Sequence, residues 1–205
     1  MSAIVLGKGD ALLIVDLQND FLPGGRLAVP RGDLVVDPIN ALIALYHGRG
    51  LPIYASRDWH PDDHCSFTAQ GGPWPPHCVA QTEGAAFSQA LRLPADAVVV
   101  SKAVSAAEDA YSAFNGTGLA RSMLAEGVTR LAVCGLATDY CVLNTVLDGI
   151  AAGFEVLLVA QAIRAVEVAP GDGDRAITRM LAAGAVPVRL SAGRLVADAE
   201  LGARL

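Results

Sequence analysis

Short runs of apolar residues rich in β-branched types alternate along the chain with segments whose apolar positions recur at helical spacing. The runs at 11–16, 52–56, 97–101, 130–134, 154–160 and 185–189 predict strands. The helical spacing predicts helices over roughly 37–49, 118–126, 138–152 and 172–183. Glycines close them, with Gly48 and Gly50, Gly127, Gly153 and Gly184 each followed by a new apolar run. This is the rhythm of βαβ units. Strands that are apolar throughout, not alternately, belong to a parallel sheet covered on both faces. The expectation is one α/β domain over residues 1–205, in three α/β/α layers around a mainly parallel sheet, with no internal repeat and no linker.

Residues 59–87 break the rhythm. They contain Pro61, Pro73, Pro75 and Pro76, together with Gly71, Gly72 and Gly84, and three of the four histidines. A long structured loop is expected here, and such loops in compact domains tend to carry function. The segment after 190 carries only a weak helical or disordered signal.

Composition narrows the classes. With 205 residues, 53% of them apolar and 18% charged, the chain can bury a full core without disulfide or metal staples. A net charge of −6 without a basic cluster argues against nucleic acid or an anionic membrane surface as partner. The leading run Met1-Ser2-Ala3-Ile4-Val5-Leu6 is too short for a secretory signal and lacks its basic start. No stretch is long and apolar enough to span a bilayer. The four cysteines form no C-x-x-C pair, so reduced thiols in a cytoplasmic protein are expected.

The strand ends hold the reactive groups. The first strand ends in Asp16, the second in Arg57-Asp58-Trp59-His60, the third in Ser101-Lys102, and the fourth leads through Cys134 to Cys141. In open parallel sheets, ligands bind beyond the carboxyl ends of the strands, where strand order reverses. Thr138 and Asp139 start a helix, which places Cys141 in its first turn, where the helix dipole favours a thiolate. Asp16 beside it would serve as general base and then as acid. Lys102 beside both would hold Asp16 ionised and favour the thiolate. Taken singly, each also reads as an ordinary strand-end or surface residue. Cys134, inside its strand, reads as a core thiol.

Asp58 and His60, two apart on an extended segment, leave the chain on one side. With His77 and His64 they form a candidate site for zinc, iron or manganese. Cys65 and Cys78 are weaker candidate ligands, and His47, at a helix end, needs no function. Phe21, Trp74, Tyr111 and Phe114 offer apolar surface on which a small flat ring could stack.

Six segments then resemble a known family. Ile14-Val15-Asp16-Leu17-Gln18-Asn19-Asp20-Phe21, Asp58-Trp59-His60-Pro61, Gly72-Pro73-Trp74-Pro75-Pro76-His77-Cys78-Val79, Ser101-Lys102, Ala110-Tyr111-Ser112-Ala113-Phe114 and Gly135-Leu136-Ala137-Thr138-Asp139-Tyr140-Cys141-Val142 resemble, in order, the nicotinamidase/pyrazinamidase branch of the isochorismatase-like cysteine hydrolases. The resemblance runs from about residue 10 to residue 190. It implies a six-stranded parallel sheet and a triad of Asp16, Lys102 and Cys141. It also implies one divalent metal ion, zinc above iron or manganese, on Asp58, His60 and His77. His64 is a further candidate, because the family's fourth protein ligand varies in kind and place. A cis peptide at Leu136–Ala137 and an oxyanion hole from the N–H groups of Ala137 and Cys141 are implied too, with substrate contacts from Phe21, Trp74 and Tyr111.

The implied reaction is hydrolysis of nicotinamide to nicotinate and ammonia through a cysteine thioester, with pyrazinamide as a second substrate, as in NAD salvage. Where the family often has glycine, this chain has Ala113. The loop from Ala103 to Ala110 carries Glu108 and Asp109, which could narrow or recharge the pocket. The alternative is a cysteine amidohydrolase for another small amide or carbamoyl compound. Vinyl ether hydrolysis of the isochorismate type is disfavoured by the presence of Cys141, and a non-catalytic contact domain by the set of strand-end groups. Homo-oligomers are common in the family.

Overall fold

The computed structural model describes residues 3–203 and brings seven strands into one sheet. They are β1 (Asp10–Val15), β2 (Ile53–Asp58), β3 (Val98–Lys102), β4 (Arg130–Leu136), β5 (Glu155–Arg164), β6 (Val186–Ser191) and β7 (Arg194–Ala197). Their order is β3-β2-β1-β4-β5-β6-β7. The six expected strands are present and parallel; β7 is the addition, antiparallel to β6.

That seventh strand corrects the expectation of six and the reading of the segment after 190. It pairs through a two-residue turn at Ala192 and Gly193, both at positive φ, 49° and 72°. Tight hairpins require that conformation, and Asn-Gly or Asp-Gly usually announces it. Ala-Gly carries only half the signal, and four residues are too few to show a period. A short helix, α5 (Ala199–Gly202), follows, its first turn capped where the Asp198 side chain accepts from the Leu201 N–H. The N-terminal run also joins this edge, since the Ile4 N–H donates to the Leu195 carbonyl. Met1 and Ser2 of that run, and residues 204 and 205 of the tail, lie outside the described residues.

Helices cover both faces. The helix α1 (Val36–His47) lies on one; α2 (Leu119–Ala125), α3 (Leu143–Ala151) and α4 (Asp172–Ala182) lie on the other. The alternation within β1 explains the layering. Leu12 and Ile14 pack with Ile39, Leu42 and Tyr46 of α1, whereas Ala11, Leu13 and Val15 pack with Met123, Val146 and Met180. Each fully buried leucine or isoleucine contributes up to about 1.5–3 kcal/mol, which explains why the strand is apolar on both faces.

Strand order reverses between β1 and β4, so the carboxyl ends of these two neighbours flank the crevice. Their close approach there depends on Gly135. Its φ is +120°, and a Cβ would lie 2.0 Å from the Val15 carbonyl oxygen. Gly135→Ala is expected to destabilise the fold by on the order of 3 kcal/mol, read as a lowered urea midpoint. An unchanged midpoint would show that the β1–β4 contact relaxes freely.

Beyond β4 the chain makes one wide turn over Thr138–Val142, in which the Ala137 carbonyl accepts from both Tyr140 N–H and Val142 N–H. The helix expected over 138–152 is thus a π-helical turn followed by α3. Such turns recur at functional sites.

Candidate active site

Four strand ends converge. Asp16 follows β1, Asp58 ends β2, Lys102 ends β3 in register with Asp58, and Cys141 lies in the wide turn after β4. All four are buried. The Lys102 ammonium is their centre, lying 2.9 Å from Asp16 Oδ2, 2.5 Å from Asp58 Oδ1, 3.0 Å from the Ala110 carbonyl and 3.5 Å from Cys141 Sγ. Asp16 Oδ1 accepts from the Ser56 hydroxyl at 2.7 Å. Its Oδ2 lies against the ammonium as an ion pair and keeps a further lone pair open. A carboxylate oxygen of Asp16 and Cys141 Sγ lie within 4.8 Å of each other.

The electrostatics separate the two partners of that pair. Burial raises the Asp16 carboxyl to about 6, although Lys102 pulls it down. Burial pushes the Cys141 thiol well up; Lys102 opposes this, while Asp16 and Asp58 push it further. The expected resting thiolate is therefore overturned, because desolvation outweighs the lysine. Burial would also raise Asp58, but Lys102 and then His60 hold it below its ordinary range. Lys102 stays charged, since its two carboxylates outweigh its own desolvation. The resting site holds an ionised Asp16, a charged Lys102 and a neutral thiol.

Beside this network stand the imidazoles. Ligand atoms of Asp58, His60 and His77 lie within 4.8 Å of one another. The carbonyl of His77 lies 2.9 Å from His60 Nδ1, and the carbonyl of Pro75 lies 2.8 Å from His77 Nδ1. A carbonyl can only accept, so both Nδ1 atoms carry the proton and both Nε2 lone pairs are available. That is the arrangement metal-ligating histidines use. Burial lowers the pKa of both rings, His60 to about 4, so they are neutral as ligation requires. The residues present fit a divalent cation.

His64 sits differently. Its Nδ1 meets Ser66 Oγ at 2.8 Å and its Nε2 meets the Glu108 carbonyl at 3.2 Å. It falls in a second group, with His60 and Asp109. A third group, Asp16 with Asp58 and Cys141, already surrounds the Lys102 ammonium and has no need of another cation. Neither Cys65 nor Cys78 joins any of these groups among the described residues. Cys78 is buried, its thiol pushed well up by desolvation, and Cys134 is likewise a buried thiol.

The aromatic residues divide. Phe21 faces His77, with ring centroids 5.7 Å apart. Trp74 donates its indole N–H to Tyr111 Oη at 3.1 Å and meets Tyr140 edge-on at 5.0 Å. Phe114 does not join them; it stacks on Phe154 in the core on the helical side. The peptide Leu136–Ala137 is cis.

Sequence reasoning missed the clamps. The Gln18 side-chain amide donates to the carbonyls of Asp58 and Ala85, while its oxygen accepts from the Asp58 N–H, tying the ends of β1 and β2 together. Asp20 accepts from the Cys78 and Arg26 N–H groups and so pins the long loop. Gly84 leaves room for it, since a Cβ there would lie 2.2 Å from the Asp20 carboxylate. Ser56 and Tyr140 were missed as well. Position gave a clue, because Gln18 lies two residues after Asp16 and Ser56 two before Asp58.

Known proteins resemble this chain over most of its length. Residues 10–192 match the Isochorismatase domain. A nicotinamidase of Escherichia coli (strain K12) is 43% identical over 196 residues, covering 85% of this chain and 92% of the relative. A crystal structure of the pyrazinamidase of Pyrococcus horikoshii in complex with zinc superposes with a TM-score of 0.85 at 45% identity, covering 89% of this chain and 99% of that one. PnC1 from L. infantum in complex with nicotinate gives a TM-score of 0.85 at 36% identity, covering 92% and 96%. With its sheet, its strand-end groups and this match over most of its length, the chain belongs to the isochorismatase domain family.

Proposed function

We propose that the protein is a cysteine amidohydrolase that converts nicotinamide to nicotinate and ammonia and also accepts pyrazinamide. The observation that carries the reading is the buried Asp16–Lys102–Cys141 network set against Asp58, His60 and His77. The similarity to a nicotinamidase, to a zinc-bound pyrazinamidase and to a nicotinate complex supports the substrate class. The whole chain acts as one domain in this reading. Its four cysteines are free, in keeping with a cytoplasmic protein, and among the described residues no helix is long and apolar enough to cross a membrane.

The chemistry follows from the resting charges. As Cys141 Sγ attacks the amide carbon, its proton passes to Asp16, whose Oδ2 has an open lone pair. The Lys102 ammonium stays charged throughout and offsets the sulfur's developing negative charge. The N–H groups of Ala137 and Cys141 receive the tetrahedral oxyanion. Asp16 returns the proton to the departing amine, ammonia leaves, and a thioester remains on Cys141. Water then attacks the thioester with Asp16 again as base, releasing nicotinate and the thiol. What a divalent ion on Asp58, His60 and His77, zinc foremost, supplies is a fixed Lewis-acid anchor for a ring nitrogen. Phe21, Trp74 and Tyr111 wall the ring.

The test is ammonia release by purified protein from nicotinamide, pyrazinamide and small carbamoyl and maleamate-type amides. A preference for the two ring amides is expected; a preference for the open-chain amides would transfer the same chemistry to them. The pH profile is a second check. Asp16 must be ionised to take the proton, so kcat/KM rises with pH through about 6 and is about tenfold lower at pH 5 than on its plateau. A flat profile between pH 5 and 7 would remove Asp16 as the base.

A further inference from the structure

The residue assigned as base stands in an unusual backbone conformation, and one neighbour grips it twice. Asp16 has a φ of 46°, in the left-handed region that residues other than glycine seldom adopt. Such conformations persist where surrounding contacts impose them, and they cluster at functional sites. Here the contacts come chiefly from β2. The Asp16 N–H donates to the Ser56 carbonyl at 3.2 Å, and the Ser56 hydroxyl donates to Asp16 Oδ1 at 2.7 Å. The Asp16 carbonyl accepts from the Gln18 N–H at 2.9 Å, which closes the turn. Asp16 and Ser56 are both fully buried, so bulk water does not compete for the carboxylate.

The two carboxylate oxygens are thereby given separate tasks. An ionised carboxylate can only accept, so the serine must be the donor to Oδ1. That leaves Oδ2 against Lys102 Nζ at 2.9 Å, with a further lone pair for a proton. Rotation about the Cβ–Cγ bond would turn that lone pair off the side of the site where the lysine and the thiol lie. Among the described residues, the Ser56 hydroxyl is what holds Oδ1 against this rotation. A neutral donor suits the task, because a second positive charge there would weaken the carboxylate as a base. The reaction asks Asp16 to take the thiol proton, return it to the amine, and then take one from water. Each transfer needs the same oxygen within hydrogen-bond reach.

We propose that Ser56 is a positioning residue for the base, its hydroxyl fixing the Asp16 carboxylate so that Oδ2 serves every proton transfer of the reaction. This role rests on the amidohydrolase reading given above.

The experiment compares zinc-loaded full-length wild type, Ser56→Ala and Ser56→Thr. It measures kcat and KM for nicotinamide, rapid-quench rates of acyl-enzyme formation and hydrolysis, zinc affinity and Tm, with rates taken at a temperature where all three are folded. Ser56→Ala is expected to lower kcat roughly 10- to 100-fold, with both steps slowed and with KM and zinc affinity nearly unchanged. Ser56→Thr, which keeps the hydroxyl, restores most of the lost rate. Wild-type kcat in Ser56→Ala would overturn the proposal. So would slowing confined to one of the two steps, since Asp16 is the base in both. A loss of rate that tracks lost zinc affinity would overturn it by placing the effect at Asp58, two residues on. A Ser56→Thr protein with wild-type Tm that is as slow as Ser56→Ala would overturn it in favour of packing. No ammonia from wild type with any of the amides would instead overturn the amidohydrolase reading itself.

Discussion

Replacing Cys141 by alanine is expected to lower ammonia release from nicotinamide by on the order of 10⁴-fold or more, the scale on which loss of a covalent nucleophile is felt. The remaining groups have no way to supply the thioester. Asp16 could still polarise a water, but Cys141 is the only thiol in contact with Lys102 and near Asp16 among the described residues. The variant should fold, because the Lys102 contacts with Asp16, Asp58 and the Ala110 carbonyl do not need the sulfur. It should also bind zinc as wild type does, since Sγ is not in the Asp58, His60 and His77 group. Loss of turnover with retained zinc binding separates a chemical role from a structural one.

The second large effect is at Lys102. Lys102→Met keeps the unbranched stem, one atom shorter, but leaves Asp16 and Asp58 buried beside each other without a counter-charge. Breaking a buried ion pair from one side costs about 3–5 kcal/mol. For a domain of this size that lowers Tm by roughly 6 to 20 °C. The pH dependence has a definite sign. Without the ammonium, the folded-state pKa of both carboxyls lies above the unfolded value. Their protonated forms are then the ones tolerated, so the variant's deficit is smallest at low pH and grows as pH rises through those folded pKa values. Wild type, in which Lys102 holds Asp58 low, shows the reverse for that group: its contribution is present above the unfolded pKa and lost as pH falls through the folded one. Calorimetry of the two proteins from about pH 3 to pH 8 reads this difference. A deficit independent of pH would mean that packing, not charge, is what Lys102 supplies.

Much of this arrangement is written locally in the chain. Continuous apolar runs such as Ala11-Leu12-Leu13-Ile14-Val15 require two covered faces, and a parallel sheet follows from that alone. The residues that follow such runs fall at the carboxyl edge, which is why the sequence alone groups Asp16, Asp58, Lys102 and Cys141. What was not legible depends on contacts distant in sequence. The Gln18 clamp exists only because β1 and β2 are neighbours and Ala85 returns to the same place. The state of Cys141 could not be read from its helix position, since the dipole is a local effect while burial is set by the whole fold. Phe114 looked like its loop neighbours but turns toward Phe154, forty residues on. The hairpin of β6 and β7 was lost because its turn lacks the usual residues.

The most direct test of the covalent account is a rapid acid quench of the wild-type enzyme during turnover of nicotinamide, followed by mass spectrometry of the whole protein and its peptides. The account predicts a nicotinoyl group on the peptide that contains Cys141, and none in Cys141→Ala treated in the same way. Sustained turnover by Cys141→Ala, or an acyl group carried on any other residue, would contradict it.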